Sequence, residues 1–357
     1  YERLVRPFSS HWQGLTEEIL RPMIHVPQHP VLFSLFGVCG IWPVSLAARC
    51  LFKTEKIRAL FAGLGAHSIM PLESELTMSF ALFMAASAHA TGWPLPAGGA
   101  ARIAHGLAGF FQRLGGTIIL GKNVVSLQDL PLTDKVLFDL GPHQISAIAG
   151  ARIPGKTRDR LERFRYGPGV FKVDWALDGP IPWKAEECLQ AGTLHLGGSL
   201  EEIALSERQV WQGIHPERPF VLCSQPSLFD GTRAPSGRHT AWAYCHVPHG
   251  SDRDMTKEIE DQVERFAPGF SRRILARRVI GSSSFERINA NLVGGDIAGG
   301  ANTFSQVLFR PVPAVMSYNL GPGIFICSAS SPPGGGVHGM CGFNAAERVL
   351  ADDGSTS

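Results

Sequence analysis

The 357-residue chain is 44% apolar, enough to bury a large core and to divide into two domains. Its 33 Lys and Arg stand against 31 Asp and Glu, a formal charge of +2, which excludes the broad basic field of a nucleic-acid-binding protein. Forty Gly and 25 Pro, spread along the chain, predict many tight turns rather than disorder.

Cys39, Cys50, Cys188, Cys223, Cys245, Cys327 and Cys341 are odd in number and never form a CxxC pair, so a disulfide scaffold is not expected. A reducing, cytoplasmic setting follows. The opening YERLVRPF has neither an initiator Met nor a signal peptide, and is expected to be an internal point of a longer protein.

Residues 1–95 read mainly as helices. Val31 to Ala48 is free of charge but just short of the ~20 residues of a membrane span. Gly37, Gly40 and Pro43 interrupt it, so a core helix pair is the first reading. A surface dipping into a bilayer through residues 31–52 is the second, and a true span the third.

Residues 96–150 change pattern. Ile103, Leu107, Phe110 and Leu114 recur at spacings of four, three and four, predicting an amphipathic helix stopped by Gly115 and Gly116. TIIL and VVSL after it read as short strands around a GKN turn. Residues 151–285 alternate strands, such as Thr193 to Leu196 and Ala241 to Val247, with Pro-rich loops, and read as a second domain. A helix is expected from Thr256 to Phe266, with Ile259, Val263 and Phe266 on one face. Residues 286–357 hold GGDIAGG, QVLFRP, a strand near Ile324 to Cys327, and a terminal helix beginning near Gly339.

Gly334, Gly336 and Gly339 satisfy the letters GxGxxG between that strand and that helix. A dinucleotide fingerprint also needs a following strand and an acidic residue about twenty positions on. Only 18 residues follow Gly339, so a pyrophosphate loop is not expected here. A glycine run opening a helix still presents N–H groups and a positive dipole end to an electron-rich atom. His338, inside that run, is a candidate proton-exchanging group or a helix cap. Asp296 and Arg310 read either as a polar pair near the site or as turn and cap residues. Cys245, His246 and His249 with nearby His239 lack a second ligand pair, so no metal site is expected. No GxSxG elbow occurs, leaving a hydrolase without support.

The run PGGGVHGMCGFNAA after a short apolar strand resembles the C-terminal flavin-binding signature of phytoene-desaturase-like FAD/NAD(P)-dependent oxidoreductases. GWPLPAGGAARIAHGL followed by LGGTIILGKNVVSL resembles the family's middle flavin segment. YGPGVFKVDWALDGPIPW and NLVGGDIAGGANTFSQVLFRP resemble its later landmarks, and the four stand in the family's order across nearly the whole chain. The resemblance implies an α/β chain with an α+β substrate domain, in the two-domain fold of the glutathione-reductase/amine-oxidase type, with the N-terminal Rossmann βαβ unit lacking from this sequence. Residues 1–95 and 151–285 would then build the substrate domain, and 96–150 and 286–357 the FAD domain.

Carried over position by position, the resemblance places backbone hydrogen bonds from Val124 at the adenine end of FAD, and Ser328 and Ala329 by the pyrophosphate and ribityl chain. Gly335, Gly336, Val337, His338, Gly339 and Met340 would lie beside the isoalloxazine ring. The implied activity is hydride transfer between flavin N5 and an apolar small molecule, a carotenoid or isoprenoid being the first substrate expectation. NAD(P) is a second cofactor that no motif here supports. The alternatives are a flavin-dependent isomerase and a non-catalytic prenyl- or lipid-binding protein of the same fold. No nucleic-acid partner is expected, and the oligomeric state is not specified.

Overall fold

In the computed structural model, which describes residues 1–313 and 318–354, the first 90 residues form a helical layer. Its helices are α1 (Glu2–Ser9), α2 (Trp12–Ile19), α3 (Pro30–Gly40), α4 (Val44–Leu51), α5 (Glu55–Gly65) and α6 (Thr77–Ala90). Pro30 sits in the first turn of α3, where its missing N–H leaves no bond unmade. The charge-free stretch is the expected helix pair, bent by 95° between α3 and α4. Val5, Phe8, Phe61, Leu72, Met78 and Leu82 are sealed in this layer's core. Val31, Val38 and Trp42 point outward instead, at 81%, 68% and 52% exposure. Among the described residues no single helix is long and apolar enough to cross a membrane.

The amphipathic helix forms as α7 (Ala101–Arg113), and Gly115 stands at φ +89°, a left-handed stop that a side chain would strain. Its apolar stripe is largely uncovered, however: Leu107, Phe110 and Leu114 are all more than half exposed. The strands expected at TIIL and VVSL do not form, and residues 117–125 are irregular. The sequence pattern was right for strands, but a strand exists only through a ladder partner. Here Ile119, Leu120 and Val125 lie exposed with no sheet to join.

Beyond this segment come β1 (Val136–Phe138), α8 (Pro142–Ala149), α9 (Gly155–Glu162), β2 (Gly169–Leu177), β3 (Leu194–Leu196), α10 (Leu200–Trp211), β4 (Val221–Ser224) and β5 (His239–Val247). They are followed by α11 (Thr256–Phe266), β6 (Ile274–Ile280), α12 (Ser282–Ile288), α13 (Phe304–Phe309), β7 (Asn319–Gly321), β8 (Ile324–Ile326) and α14 (Met340–Gly354). The strands within Thr193–Leu196 and Ala241–Val247, the helix at Thr256–Phe266 and the terminal helix all fall where the pattern put them. A three-stranded sheet has the order β1-β8-β7, with β1 and β8 parallel. It shares a core with α8 and α9 through Phe138, Ile145, Leu161, Ile324 and Ile326.

The larger sheet is antiparallel, ordered β3-β4-β5-β2-β6. Strand alternation sends Val173, Trp175, Leu177, Ala243 and Cys245 to a buried face against Ile259 and Val263 of α11. Register then decides the opposite face. His195, Leu222, Tyr244, Lys172 and Ile280 are Cα partners in turn, one from each strand, forming a single row across the sheet. Leu222 and Phe220 on this side join the core of the helical layer through α10.

Candidate functional site

The expected flavin-edge segment hangs from β8. The Cys327 N–H donates to Phe138 O at 2.9 Å, and Ser328 Oγ donates to Leu140 O at 2.8 Å, which stitches the strand's exit to the chain leaving β1. Ser328 is buried and Ala329 half-buried. Gly334, Gly336 and Gly339 stand at φ +114°, +152° and +68°, conformations that favour glycine. Gly335 and Gly336 are exposed, and Val337 is 91% exposed, so the run presents bare backbone. His338 Nδ1 accepts from the Met340 N–H at 3.0 Å, the contact of a helix cap at the start of α14. Burial lowers the His338 pKa, which keeps that lone pair available for the cap.

A second glycine segment packs on the first. A Cβ on Gly299 would come within 2.7 Å of Ala329 Cβ, and one on Gly335 within 2.7 Å of Ala298 O. Asp296 fixes this turn by accepting from the N–H groups of Gly167 at 2.7 Å, Ala298 at 2.7 Å and Gly300 at 3.0 Å. Burial raises its pKa, opposed by those three bonds and by Arg310. The structure realises the turn reading of Asp296, while Arg310 acts on it only through its field, its hydrogen bond going to Asn302 instead.

Arg310 is the unusual member. It is 2% exposed, and burial lowers its pKa to about 10. Nη2 donates to Asn302 Oδ1 at 2.6 Å, while Nε and Nη1 are buried without a partner. A Cβ on Gly334 would meet Nη1 at 3.0 Å, so the unpaired edge lies against the glycine run. Unmet buried guanidinium donors are expensive, and sites that keep them are commonly built to meet an acceptor. Asn302 in turn donates to Ser68 O at 3.0 Å, joining the run to the helical layer.

Past Ser68 lies a group that sequence reading did not single out. His67 Nε2 and His195 Nε2 share a hydrogen bond of 2.8 Å, across 128 positions of chain. The Trp93 ring stands 6.3 Å from the His67 ring and 6.2 Å from the His195 ring. Ile69, next in the chain, has φ +53°, a strained conformation for a β-branched residue, and its carbonyl accepts from Trp211 Nε1 at 2.8 Å. Neither isolated histidine had a spacing signal, because the fold alone brings β3 to the end of α5.

The structure does not bring Val124 into this cluster: it lies half-buried in irregular chain just before a turn in which Asp129 accepts from the Val125 and Ser126 N–H groups. The residues near Cys245 have other partners, with His246 Nδ1 on Glu207 Oε2 at 2.8 Å, His249 Nδ1 on Gly167 O and His239 on Ser227. The segment GARIPGKT (150–157) carries the letters of a phosphate-binding loop, GxxxxGK[ST]. It follows α8 rather than a strand, and Pro154 removes one of the N–H groups that would cradle phosphate. A groove of about 620 Å³ lined by Trp12, His29, Val31, Leu32 and Leu35 opens in the helical layer. It is lined by none of the glycine-run residues.

No family model matches the chain. In three dimensions it resembles an oxidoreductase from Methanosarcina mazei with a TM-score of 0.59 at 14% identity, covering 97% of this chain and 75% of that one. It resembles putrescine oxidase bound to putrescine with a TM-score of 0.58 at 13% identity, covering 99% and 74%. The fold is that of the amine-oxidase type of oxidoreductase. By sequence, the chain is 35% identical over 211 residues to pyridine nucleotide-disulfide oxidoreductase domain-containing protein 2 of Rattus norvegicus, and 33% identical to that of Mus musculus. Each match takes in 54% of this chain and 34% of the relative, so the chain spans about a third of the length of the relatives it matches.

Proposed function

We propose that the protein is an FAD-dependent oxidoreductase of the phytoene-desaturase-like type, and that the residues described form its flavin-ring edge and substrate side. The observation that carries this is Arg310, whose Nε and Nη1 are buried and unpaired, with Nη1 against the buried Gly334 that leads into the exposed backbone of Gly335 and Gly336 ahead of α14. That donor set fits an electron-rich planar heterocycle. The flavin would supply the two-electron chemistry. The protein's part is to hold the ring edge by N–H groups and the helix dipole, to present Arg310 toward it, and to keep water from the guanidinium. Gly335, Gly336, Val337, His338, Gly339 and Met340 would line the ring, and Ser328 with Ala329 the chain leading to it. His338 acts as the cap that orients α14. The contact of Val124 with adenine rests on the sequence motif.

The likeness to amine oxidases concerns fold, and the sequence relatives carry oxidoreductase names, which supports redox chemistry without specifying a substrate. An apolar substrate is supported by the outward apolar residues of α3 and α4. The narrower carotenoid or isoprenoid reading, like NAD(P) as a second cofactor, has only the sequence motifs or nothing behind it. The bent pair α3–α4 is proposed to rest on a bilayer surface as a peripheral contact.

Purification of the full-length protein tests the reading. The expected result is bound flavin, and a roughly 10- to 100-fold loss of FAD affinity in Arg310→Met, as for loss of hydrogen bonds to a charged group. Consumption of an electron acceptor separates an oxidoreductase from a flavin isomerase. Protein that binds lipid stoichiometrically and ignores added FAD would be a lipid carrier, and the proposal would fail.

A further inference from the structure

We propose that the groove between the α1–α2 corner and the start of α3 is a binding site for an uncharged single-chain amphiphile with a hydroxyl head, where the bare imidazole nitrogens of His11 and His29 accept hydrogen bonds from that head. This inference stands apart from the flavin reading, since no residue of the glycine run lines the groove.

Both histidines line the groove, and in each the partner of one ring nitrogen fixes the tautomer. His11 Nδ1 stands 3.0 Å from Pro7 O, and a carbonyl oxygen can only accept, so Nδ1 carries the hydrogen. His29 Nε2 stands 3.1 Å from Glu17 Oε2. Hydrogen bonds from His29 and Gln13 hold the Glu17 pKa below the ordinary value, so this partner is a carboxylate that also only accepts, and Nε2 carries the hydrogen. In the neutral rings His11 Nε2 and His29 Nδ1 are therefore lone-pair acceptors, and neither has a protein partner among the described residues. The seat of His29 is built as well. A Cβ on Gly14 would stand 3.2 Å from its Cδ2 and Nε2, so the bonded edge of the ring rests on α2. Glu18, fully buried, accepts from His25 Nε2 at 2.6 Å and from the His29 N–H at 2.5 Å, which pins the backbone from which His29 projects.

The rest of the lining selects the chain and the charge of the ligand. The groove's volume of about 620 Å³ lies within the range of small-molecule pockets. Trp12, set against the Phe83 ring at 5.0 Å, and Leu32, packed on the helical core, give it apolar surface held firmly from behind. Val31 and Leu35 carry the groove onto the outward apolar residues of α3, which continue to Val38, so a chain longer than the groove still lies on apolar surface. Among the described residues, no Lys, Arg, Asp or Glu lines it. A carboxylate head would meet bare acceptors on both rings. An ammonium would find no counter-charge in the lining, and the nearby Glu17 is already bonded by His29 and Gln13. An uncharged O–H head donates to either ring nitrogen without those penalties.

Calorimetric titration of the full-length protein at pH 8, where free imidazole is neutral, compares decane-1,2-diol, 1,2-dimethoxydecane and decanoate, which carry an apolar chain and differ in the head. The diol is expected to bind about tenfold more tightly than the diether or the carboxylate. A diol carrying a diazirine near its head should crosslink, on irradiation, within residues 7–14 and 28–35, the two segments that line the groove. Replacing both rings, His11→Phe with His29→Phe, should abolish the preference for the diol. Leu35→Asp, at a side chain 42% exposed, should weaken the diol and the diether alike while leaving the diol the tighter of the two. Absence of binding, equal binding of the three probes, a preference that survives the double replacement, or crosslinks outside the two segments overturns the proposal. Both histidines are exposed, and should their replacement still disturb folding, the probe order and the crosslinked segments of the natural protein decide it. None of these readouts needs flavin, so a protein that fails to hold FAD leaves the outcome independently readable.

Discussion

The histidine pair carries a pH signature that can be computed in sign from its burial. In the unfolded chain each imidazole titrates near pH 6.5, whereas in the native protein His67 is pushed well down and His195 to about 4. Between those values the unfolded state binds more protons than the native one, so native stability falls as pH is lowered from about 6.5 toward 4. Thermal unfolding across that window should show a smaller drop for His195→Asn than for the natural chain; parallel curves would mean the pair is not buried neutral. Gly63 is the position that lets α5 approach this closely. Gly63→Ala should displace the His195 ring, and loss of the shared-proton imidazole resonance would report it.

At the scale of elements, what the sequence disclosed follows from where its information is local. The helix Thr256–Phe266 was readable because Ile259 and Val263 repeat with its period and both bury against the sheet. The terminal helix and its glycine run were readable because turn chemistry and capping are written in neighbouring residues. The strands expected at TIIL and VVSL were not safe, since apolar residues of the right kind do not form a ladder without a partner strand. The site was legible only in part, for the same reason. Arg310 could be named from its motif, but the pairing of His67 with His195, or of Asn302 with Ser68, is created by topology alone. For α7 the packing makes a plain prediction: Leu107→Glu should change the thermal stability of this chain by no more than about 0.5 kcal/mol, because Leu107 is 66% exposed. A large loss in calorimetry would show that the stripe is covered in solution.

Across the whole molecule, the outward apolar residues of α3 and α4 are the ones the proposed bilayer contact would cover. If α3 and α4 rest on a bilayer, the protein should float with phosphatidylcholine vesicles, and Val38→Glu with Trp42→Glu should weaken that association roughly tenfold or more. Unchanged flotation would reject the contact. The pairing of β1 with β8 has a consequence for how the molecule is made. Val136 and Ile324 are partners although the whole five-stranded sheet lies between them in sequence. Closing so long a loop is slow and entropically unfavourable, and the glycine run hangs directly from the strand that closes it. The glycine run is therefore expected to be placed late, after the antiparallel sheet between the two strands has formed. A cofactor that binds only the finished edge would pull that last step forward by mass action. If the proposed flavin binds there, its supply would govern how much of the newly made chain reaches its native state.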